Sequence, residues 1–226
     1  MKRHTVLIFV AVVAVGVIAL LVAGLIKWDH EGTGTIAEPE SIAALVNKAE
    51  SLSSKYVPPD LTECNVRAVK EIVKEARMLR KEAAHALEAM FEAAEKEGMT
   101  LYIESGYRSY EHQTRTYNSV KKARGEEYAD KYVAKPGHSE HQTGLAMDIT
   151  NIDHMDDDHE KQLGTMPEGI WLRDNAHRFG FILRYPEDKV DTTGYNYEPW
   201  HFRYVGVNLA TALNEAGLTL DEYEMD

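Results

Sequence analysis

Two stretches far apart in the chain carry residue types that can share one metal ion. They are Pro136–Asp148, PGHSEHQTGLAMD, and Glu198–His201, EPWH. His141, Asp148 and His201 offer two imidazoles and a carboxylate as ligands, and Glu198 offers a base. Two histidines, one carboxylate and an open position describe a catalytic zinc site, because structural sites are closed and usually rich in cysteine. Zinc bound there activates a water for attack on a peptide carbonyl. Glu198 is expected to take the proton of that water and pass it to the leaving amine. Arg108 is expected to steady the developing oxyanion.

The spacing dictates how the backbone must run. A straight helix would separate His141 and Asp148 by roughly 10 Å along its axis, whereas two ligands of one ion must both reach to about 2 Å from it. A loop ligand, a tight turn at Gly144 and a strand ligand meet that demand. Leu145, Met147 and Ile149 alternate with Ala146 and Asp148, so Asp148 points to the site and its neighbours to the core. Pro199 excludes a helix interior between Glu198 and His201. Positions three apart face opposite sides of a flat strand, so a bend is expected at Pro199, with His201 starting a strand and Trp200 packed beneath the site. The chain has ten histidines, enough to produce some such pairs by chance. The other eight, including His112 and His138, read as surface residues or as supports behind the site. The acidic stretch His154–His159 reads as a solvated loop.

The elements that must hold these pieces follow from periodicity. Ser41 caps an expected helix with Ile42, Leu45, Val46, Ala49 and Leu52 on one face. The proline pair after Tyr56 ends it in an extended turn. A longer helix is expected over 66–97, where Leu79, Ala83, Leu87, Met90, Phe91 and Ala94 form an apolar stripe closed by Gly98. Residues 100–105 alternate as a strand, which leaves Arg108 on a loop, a usual place for functional groups. A helix over 111–124 puts Gln113 in its first turns. Residues 171–181 read as a helix ended by Gly180, 181–185 as a strand, and 195–205 as holding another. Arg80 reads as a solvated cation.

Composition bounds the function. With 226 residues and 44% apolar content the chain supports one domain with a real core, and its single cysteine, Cys64, permits no internal disulfide. Cys64 reads as a small buried hydrophobe. The net charge is −12, which argues against nucleic acid as a partner, since that rewards basic patches. The run from Val6 to Ile26 has no charge, follows Lys2 and Arg3 and precedes Lys27. A helix of that length spans the ~30 Å hydrocarbon core and exceeds the apolar core of a cleavable signal, about 7–15 residues. Residues 1–27 are therefore expected to be an N-terminal membrane anchor rather than a signal peptide, 28–40 a tether, and 41–226 the catalytic domain outside the cytoplasm.

Four motifs carry a resemblance that goes beyond spacing: SGYRSYEHQ (105–113), PGHSEHQTGLAMD (136–148), GFILRYP (180–186) and TGYNYEPWHFRYVG (193–206). Together they resemble the VanY-type D-alanyl-D-alanine carboxypeptidases of the LAS group of zinc peptidases, relatives of the VanX dipeptidases and hedgehog-like domains. The match runs in order from Leu45 to Gly206. The resemblance implies an α+β fold, in which a small, mainly antiparallel sheet bears the zinc site and helices pack around it. It implies zinc on His141, Asp148 and His201, Glu198 as base and Arg108 beside it. It also implies substrate contacts from Gln113 and from Ser139, whose hydroxyl can hold a terminal carboxylate. The implied substrate is a peptidoglycan stem peptide ending in D-Ala-D-Ala. Alternatives on the same scaffold are an L,D-carboxypeptidase, an endopeptidase of cross-links, or a non-catalytic wall-binding domain with structural zinc.

Overall fold

Residues 34–36, 38–152 and 162–223 are described by the computed structural model of the chain. Along them run a short parallel pair, β1 (Gly34–Thr35) with β2 (Glu50–Ser51), and an antiparallel pair, β3 (Leu61–Glu63) with β4 (Met78–Arg80). Helix α1 (Lys81–Lys96), strand β5 (Tyr102–Ser105) and helices α2 (Tyr110–Arg124) and α3 (Glu126–Tyr132) come next. Strand β6 (Ala146–Thr150), helix α4 (Pro167–Asn175), strand β7 (Phe181–Leu183), helix α5 (Val190–Thr193), strand β8 (His201–Tyr204) and helix α6 (Val207–Ala216) complete the order. The central sheet has the order β5-β6-β8-β7, with every pairing antiparallel. The α+β expectation holds.

Each element has a local cause. In α1 the residues Ala83, Leu87, Met90, Phe91 and Ala94 are all buried, the one-face stripe of a helix against a sheet. Gly98, with φ 83°, takes the left-handed conformation after the C-cap Glu97. Helix α2 starts where Ser109 Oγ accepts the backbone N–H of His112. All five residues of β6 are buried, so this central strand is covered on both faces. Its apolar side chains Met147 and Ile149 join Leu87, Met90, Phe181 and Phe202 in the main core. Cys64 is fully buried in that core, and burial pushes its thiol up to about 12.

Several expected elements differ. The helix over 42–52 does not form: Asn47 Oδ1 accepts the N–H groups of Ala49 and Glu50, and Ser41 Oγ that of Ala43. Short polar side chains thus satisfy the backbone locally and compete with the helix. The expected 66–97 helix keeps only its second half. Glu71 has φ 64°, and a 3-10 turn (Lys74–Arg77) leads into β4. Val66, Val69, Ile72, Val73 and Ala76 do carry a helical spacing, but the backbone there bonds to β5 instead: Val69 donates to the Ile103 carbonyl at 3.0 Å and Ile103 to the Arg67 carbonyl at 2.9 Å. The helix expected over 171–181 starts earlier, at Pro167, and tightens to a 3-10 turn over Ala176–Phe179 before Gly180. Arg80 is no solvated cation; it binds Asp60 Oδ1 at 2.9 Å and the Glu40 carbonyl at 2.6 Å.

The expected anchor (1–27) and the acidic loop (153–160) lie outside the described residues, as does most of the expected tether. Among the described residues no helix is long and apolar enough to cross a membrane. The described end of the tether, Gly34–Thr35, pairs with β2, and Ile36 donates to the Ser51 carbonyl at 2.9 Å.

Leu87 is fully buried where α1 meets the sheet. Leu87→Ala is expected to cost about 2–5 kcal/mol of stability, read as a shift of the urea midpoint. Cys64 is expected to resist iodoacetamide in the native protein and to react on unfolding; native-state labelling would contradict its burial.

Candidate active site

The site grows from one strand pairing. Strands β6 and β8 pair so that Asp148 lies directly opposite His201. Opposed residues of an antiparallel pair share a face, with Cβ atoms about 4.5–5.5 Å apart. His141 arrives from a 3-10 turn (Glu140–Thr143), and Gly144, with φ 65°, reverses the chain into β6. The three side chains offer donor atoms all within 4.8 Å of one another, and all three residues are buried. The imidazole rings of His141 and His201 stand edge to face, 5.0 Å between centroids.

Each histidine has one nitrogen committed elsewhere. His141 Nδ1 lies 2.7 Å from the Gly106 carbonyl, which makes it the N–H and leaves Nε2 facing Asp148 Oδ2 at 3.3 Å. His201 Nε2 lies 3.2 Å from Glu140 Oε2, while Nδ1 faces Asp148 Oδ1 at 3.1 Å. Asp148 Oδ1 is buried and, although His201 Nδ1 is close, makes no well-aligned hydrogen bond. A buried carboxylate oxygen amid two inward-facing ring nitrogens is a donor set that suits a divalent cation. The partners behind the histidines are the type that orient metal-binding imidazoles.

Burial works against ionisation of Asp148, yet His141 and His201 hold its carboxyl well below the usual range. Burial keeps His141 below its ordinary value. Burial also opposes a charge on His201, but its contacts with Asp148 and Glu140 win and raise it to about 10 without a metal.

Glu198 sits at the mouth of this cluster. Its carbonyl accepts the His201 N–H at 3.1 Å, closing a four-residue turn with Pro199 at the second position, where proline's fixed φ suits a turn. The expected bend is present. Glu198 Oε2 lies 3.8 Å from His201 Nδ1. Trp200 differs from expectation: it is half-buried and lines the cleft rather than packing beneath it.

The cleft holds about 210 Å³, and Arg108, Gln113, Ser139, His141, Asp148, Glu198 and His201 all line it. Arg108 is fixed by Ser105 Oγ at 2.8 Å and Gln113 Oε1 at 3.0 Å. Gln113 is 1% exposed, and its Nε2 donates to the Ala134 carbonyl at 2.7 Å. It therefore braces Arg108 as well as lining the cleft. Ser139 precedes the 3-10 turn without capping it by its side chain. His138 lines the same cleft, its Nδ1 2.9 Å from the Asn47 carbonyl. His112 instead contacts Glu75, away from the cluster. Sequence reasoning missed Glu140, although an acid between Ser139 and His141 in a buried motif is a visible signal.

A family model described as D-alanyl-D-alanine carboxypeptidase, VanY, matches residues 76–207, more than half of the chain. The chain belongs to this VanY family. It is accordingly an enzyme that hydrolyses peptide bonds. YodJ of Bacillus subtilis (strain 168), itself only provisionally named a carboxypeptidase, is 47% identical over 193 residues, covering 85% of this chain and 70% of that protein. Among solved structures, the LdcB LD-carboxypeptidase aligns with TM-score 0.78 and 45% identity, over 88% of this chain and 92% of that one. A vancomycin-resistance D,D-pentapeptidase VanY in complex with Zn(II) aligns with TM-score 0.62 and 32% identity, over 80% and 97%.

Gly106 supplies the carbonyl for His141 from a place where a Cβ would meet the Met78 and Ala76 carbonyls at 2.7 and 2.8 Å. Gly106→Ala is expected to destabilise this VanY-family enzyme by about 1–3 kcal/mol and, by displacing the His141 partner, to reduce any stabilisation that added zinc confers. Thermal melts with and without added zinc check both.

Proposed function

We propose that this chain is a zinc-dependent carboxypeptidase that removes the terminal D-alanine from peptidoglycan stem peptides. The observation that carries the reading is the buried meeting of His141, Asp148 and His201 beside Glu198 in an open cleft. His141 through Nε2, Asp148 through its carboxylate and His201 through Nδ1 would hold the ion. When bound, zinc supplies Lewis acidity and a water acidified towards neutral pH. The Glu198 carboxylate accepts a proton from that water and later delivers it to the leaving amine nitrogen. The Arg108 guanidinium steadies the negative charge that grows on the scissile carbonyl oxygen. The Ser139 hydroxyl and Gln113 amide hold the peptide end in the cleft. Glu198 and Arg108 both lining the cleft speaks against a non-catalytic zinc domain. The apolar 6–26 run supports a chain anchored in the cell membrane, with residues 41–226 on the outer side, where stem peptides lie.

The residue before the cut separates two versions of this reading. The sequence motifs suggest D,D-cleavage, which shortens a pentapeptide stem, and a related D,D-pentapeptidase supports it. The greater likeness to an L,D-enzyme, in both identity and TM-score, favours a tetrapeptide stem as the better substrate.

Purified protein incubated with each stem peptide is expected to release one alanine, seen by mass spectrometry, and to stop on chelation. Shortening of only the pentapeptide would sink the L,D version; shortening of neither would sink the whole reading. Glu198→Ala is expected to lose about 10²–10⁴ in turnover while keeping its metal. Arg108→Ala is expected to lose about 10²–10³.

A further inference from the structure

Behind His201 lies a buried ionic cluster that the proposed chemistry does not use. Glu140 is 2% exposed, and Arg184 and Arg203 are both 0%. Arg184 Nε donates to Glu140 Oε1 at 2.7 Å, and Arg203 Nη1 donates to the same oxygen at 2.9 Å. Arg184 also pairs with Asp221 Oδ2, while Asn47 Nδ2 donates to Asp221 Oδ1 at 3.0 Å. Arg203 Nη2 donates to the carbonyls of Ile42 and Ala44 at 3.0 and 2.9 Å. Two cations thus face two anions, tied to backbone from the first part of the chain.

Such a cluster is weak evidence for stability alone, since apolar residues of equal volume often do as well. The division of labour within Glu140 points elsewhere. Both arginines crowd Oε1, and Oε2 is left for His201 Nε2 at 3.2 Å. An acceptor fixed there requires the proton of a neutral imidazole to sit on Nε2, which leaves the Nδ1 lone pair towards Asp148. His141 is oriented by a neutral carbonyl, so the two histidines are held by different means. A carboxylate behind an imidazole also makes it a more basic ligand.

We propose that Glu140 is a positioning residue: it sets the tautomer and ring orientation of His201, and Arg184, Arg203 and Asp221 fix its carboxylate for that task. This rests on the metal reading given above. Arg184 follows β7, Arg203 lies in β8, and Asp221 lies in a 3-10 turn (Leu220–Glu222) after α6. The cluster thereby joins the last turn of the described chain to the metal centre.

Chelator-competition titrations of the full chain test this. Glu140→Gln keeps the size of the side chain, and it is expected to bind zinc about 10–100-fold more weakly and to change the visible spectrum of the cobalt form. Leu213→Ala, in the separate small core under α6, serves as the comparison for general loss of stability. Equal weakening in both variants at matched melting temperature, or unchanged affinity in Glu140→Gln, overturns the proposal and leaves the metal reading intact. If Glu140→Gln does not fold, the ¹⁵N spectrum of wild-type His201 decides. A protonated Nε2 and metal-shifted Nδ1 are expected, and the reverse pattern overturns the proposal. A wild-type chain that holds no zinc overturns both readings.

Discussion

The register between β6 and β8 is the constraint from which the site follows. With Asp148 opposite His201 and Met147 opposite Phe202, one face of the pair holds polar donors and the other belongs to the core. A slip of one residue would exchange those faces, because side chains alternate with period two. It would drive Asp148 into the apolar cluster and lift Met147 out of it. Burial of the whole of β6 makes that slip expensive. Both ends are pinned as well. Thr143 Oγ1 accepts the Leu145 N–H at 3.0 Å before β6, and the Glu198–His201 turn sets the start of β8.

A polar face so deeply covered must be compensated, since an unpaired buried charge costs several kcal/mol. The chain answers with local order rather than overall charge. Its net charge is −12, yet Arg184 and Arg203 lie behind His201 and Arg108 lines the cleft in front. Total charge therefore says little about what a carboxylate-bearing peptide meets there. The aromatic rings add shape. Tyr185 stacks at 4.6 Å on Tyr195 and lies 5.0 Å from the His201 ring. Its backbone carbonyl accepts the Glu198 N–H at 3.1 Å. One residue thus packs against a candidate ligand and anchors the candidate base.

Where sequence reasoning succeeded, the cause was local and the signal was local too. Gly144 turns the chain because only a residue without Cβ takes φ 65° easily. Pro199 bends it for an equally local reason. The stripe from Leu79 to Ala94 gave α1 its buried face. The failure at 42–52 is instructive, because the apolar spacing there is helical. Of the expected stripe, Val46 and Leu52 are buried, Ile42 and Leu45 are half-buried and Ala49 is exposed, all on a looped backbone that Asn47 satisfies. Apolar spacing alone did not distinguish the two, because the deciding hydrogen bonds come from the Asn47 side chain, itself held by Asp221 far along the chain.

By itself the sequence determined the donor types, the turn that returns Asp148 towards His141 and the bend before His201, while the α+β class was implied by the family resemblance of its motifs. The first three are properties of short segments, set by backbone sterics and by apolar period. Only the tertiary structure decided which nitrogen of each histidine faces inward, that Gln113 braces Arg108, and that Glu140 stands behind His201. Those outcomes depend on which distant group lies within hydrogen-bonding reach, and a hydrogen bond between remote residues leaves no period in the chain to read.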